Sequence, residues 1–288
     1  MNEFQFEFFT PLLNFTSNKK LITLSNDIHI RKPTSREIEI IKESSKKWSN
    51  VKESEYLLCL ILKINEPEEE PGQFINKYAK EEIEKVLSFL RLFQEGIIGY
   101  NLIVHKLSNE INYPYTAVTY FTPAVYIKDA PASYRKIYSV SGDEAEKLEI
   151  FFKDYFFEES LKELNLAIDY FSKSYQERYT PRDSFLDLII SLENLFLKGI
   201  TDELSFRLRL RMAFLLSDDF DGRKKIYDFM RAAYGKRSKL VHGESVNSID
   251  YDSLFELRQM VRESIKIFIK NPKLRDDIDD FILKNGRL

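Results

Sequence analysis

The run YGKRSKLVHG, residues 234–243, sets His242, one of only three histidines, five positions after Arg237 and closes on Gly243. Its reading decides the second half of the fold. Taken as one helix over residues 223–242, turning about 100° per residue, the region has an apolar stripe of Ile226, Phe229, Met230, Ala233, Leu240 and Val241 that needs a core. Arg237 falls in the middle of that stripe. A neighbouring stripe carries Lys224, Tyr227, Arg231, Tyr234, Ser238 and His242. Ser238 and His242 are four apart, so the hydroxyl can orient the imidazole. Gly243 suits a helix C-terminal cap. Gly235 costs about 1 kcal/mol relative to Ala inside a helix. It either lets a partner helix approach closely or ends the helix, leaving RSKLVHG in a turn.

An arginine on an apolar face calls for an acid, because a guanidinium is expensive to bury and cannot lose its proton. In SFLDLIISLENLF, residues 184–196, Glu193 is surrounded around the helix by Phe185, Leu186, Ile189, Phe196 and Leu197, and is expected to be buried. An unpaired buried carboxylate would cost several kcal/mol or stay protonated. Two arrangements satisfy these residues. Glu193 pairs with Arg237, shared with Arg209 or Arg211; or Glu193 pairs elsewhere and Arg237 extends outward along its stem.

Outward from this region the pattern stays helical. EAEKLEIFF…SKSYQE (144–177) reads as helix with one break, TPRD interrupts it, and DSFLDLIISLENLFLK (183–198) is a second helix ending at Gly199. TDELSFRLRLRMAFLL (201–216) alternates like a strand but is read as helix from its neighbourhood. YDSLFELRQMVRESIKIFIK (251–270) and a short segment through Phe281 and Ile282 to Gly286 follow. Before the turn signal SVSGDE (139–144) the signals alternate instead. ITLSNDIHIRK (22–32) has strand periodicity, and Thr34 with Glu37 forms a capping box. EYLLCLILKI (55–64) reads as a buried strand. Pro71 opens a helix through Ile83, Val86, Leu87, Leu90 and Phe93 to Gly96; IIGYNLIVHKL (97–107) and TAVTYFTPAVYI (116–127) read as further strands. The expected fold is an N-terminal α+β domain over 1–140 followed by an all-α helical bundle over 141–288.

Composition narrows the functional classes. A net charge of −3 does not mark a nucleic-acid binder, yet between Arg223 and Lys239 seven basic residues face one acid, Asp228. Such a face suits either phosphate or solvent. Glu66, Glu68, Glu69 and Glu70 read as a solvated loop. Cys59 is the single cysteine, so no intramolecular disulfide forms and thiolate metal sites are disfavoured; it reads as a small buried hydrophobe. His29 and His105 sit in strand-like runs and read as satisfied structural residues, and no metal or other cofactor is expected. No phosphate-cradling glycine loop appears. No apolar run is long enough for a bilayer, and MNEFQFEFF places an acid where a secretory signal would be basic, so a cytoplasmic protein is expected.

DSFLDLIISLENLF, ELSFRLRLRMAFLL and YDFMRAAYGKRSKLVHG, in that order, resemble a HEPN domain of the Apea-like branch. The matched segments span roughly residues 163–268, about a third of the chain, and nothing extends the resemblance into 1–140. The resemblance implies a helical bundle that dimerises and acts as a metal-independent RNA endonuclease, as in bacterial antiviral defence or toxins. Arg237 and His242 match the catalytic pair; Ser238 and Glu193 support them. The implied reaction is attack of a ribose 2′-OH on the adjacent phosphate, leaving 2′,3′-cyclic phosphate and 5′-OH ends. An imidazole can give or take a proton near neutrality, and a guanidinium fork matches phosphate oxygens. Acid and base roles need two imidazoles, which a two-fold homodimer supplies. Tyr227, Tyr234, Arg231 and Lys224 are candidate RNA contacts, each with a core or surface reading beside it. Residues 1–140 would bind a trigger or regulator. The alternative is a catalytically silent HEPN dimerisation or nucleotide-binding scaffold. Silencing by nucleotidyl transfer to a tyrosine two residues after the motif histidine is disfavoured, since that position is Glu244.

Overall fold

The computed structural model describes residues 3–48, 53–65, 71–107, 116–119, 136–175, 180–243 and 249–285. The chain forms two compact units, Met1–Phe157 and Glu158–Leu288. The first combines helices with an antiparallel sheet and the second is helical, as expected. The division falls after Phe157 rather than after residue 140, because the first helix beyond the SVSGDE turn packs on the sheet unit.

That unit contains strands β1 (Glu3–Pro11), β2 (Phe15–Ser17), β3 (Leu21–Thr23) and β4 (Ile28–Arg31), helix α1 (Ser35–Lys47), strand β5 (Leu57–Asn65), helix α2 (Pro71–Phe93), strands β6 (Leu102–Leu107), β7 (Thr116–Thr119) and β8 (Tyr138–Val140), and helix α3 (Gly142–Tyr155). Six strands form one sheet in the order β3-β4-β5-β1-β6-β7, and β2 pairs in parallel with β8. The run 22–32, expected as one strand, is an antiparallel hairpin in which Leu21 faces Arg31 and Thr23 faces His29. Its polar centre, Ser25–Asn26–Asp27, makes the turn. Of the run 116–127, residues beyond 119 lie outside those described, as do Glu66–Glu70.

β1 lies centrally, paired with β5 and β6. One sheet face buries Phe6, Phe8, Ile30, Leu58, Leu60 and Ile103. On the other, Phe9, Leu57, Leu102 and Val104 pack with Ile40 and Ile41 of α1. The capping box forms as expected: Thr34 caps α1, and its backbone N–H donates to Glu37 at 2.7 Å. Arg31 clamps the same carboxylate at 2.8 and 2.7 Å. α2 and α3 join through Phe89, whose ring meets those of Phe151, Phe152 and Phe156 at 4.9–5.8 Å. Gly96 is required where the chain passes β8, because a Cβ there would stand 2.8 Å from the Tyr138 Cα.

The second unit opens with a 3-10 turn (Glu159–Glu163) and continues through α4 (Asn165–Lys173), α5 (Pro181–Phe196), α6 (Leu204–Leu216), α7 (Phe220–Val241), α8 (Tyr251–Lys270), a second 3-10 turn (Pro272–Arg275) and α9 (Ile278–Asn285). The TPRD stretch starts a helix rather than merely interrupting one: Thr180 caps α5 in a box with Asp183, and Pro181 takes the first turn, where its missing N–H is harmless. TDELSFRLRLRMAFLL is helical from Leu204 onward, as read. α5 packs against α4 and α8, and α6 against α7. The core is built from Phe185, Leu188, Ile189 and Leu192 of α5, Leu208 and Met212 of α6, and Leu254, Leu257, Val261 and Ile265 of α8. Arg211 bonds Asp279 of α9 at 2.6 and 2.9 Å and also the carbonyl of Phe196. Arg258 and Arg262 are buried on α8; Arg258 donates to the Ser174 carbonyl at 2.7 Å and lies 4.1 Å over the Tyr175 ring. Among the described residues no helix is long and apolar enough to cross a membrane.

Candidate active site on helix α7

α7 begins at Asp219, whose side chain accepts from Gly222 N–H at 2.8 Å, and runs unbroken through Gly235, so residues 236–241 are helical rather than a turn. It closes at His242 and Gly243. The His242 N–H donates to Ser238 O at 3.1 Å, and Gly243 takes a φ of 75°, the left-handed conformation that favours glycine at this cap.

The predicted apolar stripe closes only in part. Met230, Ala233 and Leu240 are buried, but Val241 is 57% exposed and Ile226 and Phe229 are half-buried. α7 packs mainly along α6, so a narrower strip is covered than a helix facing a full core would show.

Within this strip Arg237 finds its acid. Its Nη2 lies 3.2 Å from Oε1 and 3.4 Å from Oε2 of Glu193 on α5. Tyr234, one turn earlier, donates its hydroxyl to the same carboxylate at 2.9 Å. Burial, followed by the hydrogen bond to Glu193, pushes the Tyr234 phenol up to about 12. The pair is half-buried rather than buried: the Arg237 and Glu193 side chains are 30% and 21% exposed. Neither expected sharer joins it. Arg209 lies 4.6 Å over the Tyr227 ring, and Arg211 belongs to Asp279. Among the described residues Arg237 bonds only through Nη2, which leaves Nε and Nη1 uncommitted.

The pair lines an open groove of about 480 Å³, whose other walls include Leu166, Asn194, Leu197, Lys198, Ile200 and Leu204. Asn194 and Lys198 are absent from the sequence reading, although two consecutive polar residues, Glu193 and Asn194, in the largely apolar stretch 188–196 are a usable signal. His242 is not on the groove. It is exposed at the end of α7, as is Ser238, and no hydrogen bond joins the two side chains. The structure therefore brings Glu193, Tyr234 and Arg237 together and leaves His242 and Ser238 open to the surroundings.

The basic excess around α7 is largely offset. Lys224 pairs with Asp228 at 2.8 Å, Lys225 with Glu256 at 3.5 Å and Lys236 with Asp250 at 3.6 Å. Arg231 and Lys239 are exposed and form no ion pair among the described residues. Glu244 lies outside the described residues.

In the sheet unit, Cys59 is half-buried rather than fully buried. It shares the wall of a second cavity, about 320 Å³, with Glu7, His29, Arg31, Glu37 and Lys106. Burial pushes its thiol up to about 12, so the sulfur stays protonated. His29 and His105 are less satisfied than their strand positions suggested. Nε2 of His29 donates to the Asn26 carbonyl at 3.1 Å, and His105 is packed near the Phe6 and Phe8 rings. The Nδ1 of each is buried without a partner among the described residues, because the flanking strand carbonyls are spent on the sheet ladder. No group of three or more His, Cys, Asp or Glu among the described residues is arranged to hold a metal ion.

Comparison of the chain with family models, with curated proteins and with solved structures gave no match.

Proposed function

We propose that the helical unit is a HEPN-type, metal-independent RNA endonuclease working as a homodimer, with Arg237 and His242 as its catalytic pair. The observation that supports this most is the state of Arg237. Glu193 and Tyr234 hold one edge of its guanidinium, while Nε and Nη1 remain available beside an open groove. A held fork with free donors suits the charge that develops on a phosphate during transfer. His242, exposed at the end of the same helix, supplies a proton acceptor for the 2′-OH. A second imidazole, from a second chain, protonates the leaving 5′ oxygen, so the products are 2′,3′-cyclic phosphate and 5′-OH ends. Dimerisation is supported by α7 itself. A Cβ placed on Gly235 would meet no atom within 4 Å, and Val241 is left exposed near the motif. Within this proposal Ser238 contacts solvent or RNA, Tyr234 acts through Glu193, and Arg231 and Lys239 are exposed basic side chains open to phosphate. The cellular role, antiviral defence or toxin, and a regulatory role for residues 1–140 follow from the resemblance alone.

A second reading is a silent dimerisation or nucleotide-binding scaffold. It is favoured by the ion pairs that tie up Lys224, Lys225 and Lys236, which leave less positive charge free for RNA. The two separate in one assay: purified chain with RNA in EDTA, beside Arg237→Ala and His242→Ala. The nuclease reading expects cyclic-phosphate products from the parent chain and their loss in both variants, with fold and dimer retained. Cleavage that needs Mg²⁺, or that survives both substitutions, contradicts it.

A further inference from the structure

The groove beside Arg237 holds groups beyond those that the cleavage chemistry uses. Three cations, Lys198, Arg237 and Arg275, stand against two carboxylates, Glu163 and Glu193. Arg275 is held under one wall, donating to the carbonyls of Glu163, Asn194 and Leu195 at 2.5–3.2 Å, so it adds charge without reaching outward. Lys198 reaches outward: its side chain is 65% exposed and only loosely paired, 3.7 Å from Glu163. Between these charges the lining is apolar. Leu166 is 52% exposed there, and Ile200 and Leu204 are half-buried. Asn194 donates one amide hydrogen to Ile190 O at 2.9 Å. Its Oδ1 and second hydrogen take no other partner among the described residues, which leaves an adjacent acceptor and donor.

An apolar floor, one donor–acceptor edge and two reachable cations match the face of a base, its hydrogen-bonding edge and the phosphates beside it. We propose that this groove is a nucleotide subsite that seats one unpaired base of single-stranded RNA next to the scissile phosphate. The base lies on Leu166, Ile200 and Leu204. Its hydrogen-bonding edge meets the Asn194 amide, and Lys198 and Arg237 take the flanking phosphates. Asn carboxamides pair with base edges in two-point contacts that discriminate between bases. A base inside an RNA duplex turns that edge into a deep, narrow major groove that side chains do not read, its Watson–Crick edge is paired, and it cannot leave the stack without cost. The subsite therefore selects single strands and makes Asn194 a specificity residue. This inference rests on the ribonuclease reading, and its test separates the two.

The test is fluorescence anisotropy of the full chain in EDTA with three labelled probes: a non-cleavable 2′-O-methyl single strand, the same strand with one abasic position, and its duplex. The intact single strand is expected to bind about tenfold more tightly than either other probe. Asn194→Ala is expected to narrow the difference between intact and abasic strands to what the apolar floor alone contributes, and Lys198→Ala, a change at an exposed side chain, to weaken all three. If the parent chain binds the single strand no better than the duplex, or Asn194→Ala leaves the intact-to-abasic ratio unchanged, the subsite is wrong while the nuclease reading stands on cleavage. If the parent chain neither binds nor cuts RNA, both fall.

Discussion

Glu193 on α5 and Arg237 on α7 meet at 3.2 Å, 44 residues apart in sequence, with the Tyr234 hydroxyl completing the carboxylate at 2.9 Å. A half-buried pair of this kind contributes modestly, on the order of 1 kcal/mol, because solvent still screens it. A double-mutant cycle between Glu193→Gln and Arg237→Ala should give a coupling of about that size in urea unfolding. Tyr234→Phe should cost about 1 kcal/mol by removing one hydrogen bond to a charged acceptor. A coupling indistinguishable from zero would mean that the pair does not persist in solution.

Arg211 anchors α9. Its side chain is 9% exposed and ties Asp279 of α9 to the carbonyl that ends α5. Arg211→Ala should destabilise the helical unit by about 2–3 kcal/mol, and more than Asp279→Asn, which leaves the guanidinium bonded to Phe196. Hydrogen exchange should show α9 released first. Equal, small effects of both changes would contradict this role.

Acid should weaken the sheet unit through His105. Burial holds its pKa below the ordinary 6.5. As pH falls through 6.5 the unfolded chain gains a proton that the folded chain refuses, so stability declines from there down to the folded pKa. Amide exchange in β1 and β6 should accelerate over that window, and His105→Phe should flatten the dependence. The imidazole proton shifts of the parent chain, titrated directly, would expose an error if His105 protonates above 6.5 in the folded state.

Asp187 on α5 predicts the opposite slope. Burial raises its carboxyl to about 6 from 3.8, and Oδ2 has no partner among the described residues. Its contribution to stability is present below about 4 and is lost as pH rises through about 6. Asp187→Asn should therefore raise the melting temperature at pH 7 and leave it unchanged at pH 4. A destabilised variant at pH 7 would show that the charge has a partner.

The fold was legible where local chemistry is decisive. Thr34–Glu37, the Pro71 start and the helical spacing around residues 223–242 each determined an element, because caps and periodicity act within one turn. β1, at the sheet's centre, is marked in the sequence only by the alternation Phe4-Gln5-Phe6-Glu7-Phe8, which the charge of the same segment does not reveal. The hairpin at Leu21–Arg31 was merged because its turn continues the alternation. The Glu193–Arg237 pair was one of two readings, since a helical wheel shows an unmatched charge but not which helix faces it. Asp279 as the partner of Arg211, and the groove at Asn194 and Lys198, depend on helices that pack from distant parts of the sequence, which periodicity does not encode.

The proposed chemistry needs two chains to meet near the end of α7, and that can be measured. With Cys59 replaced by Ser and His242 by Cys, a nitroxide at residue 242 of each chain reports their separation by electron–electron dipolar spectroscopy. The account predicts a dimer with one narrow, short distance, compatible with both imidazoles lying within about 3 Å of opposite oxygens of one phosphodiester. A chain that stays monomeric at assay concentrations with RNA present, or a dimer whose labels lie on opposite sides, would contradict it.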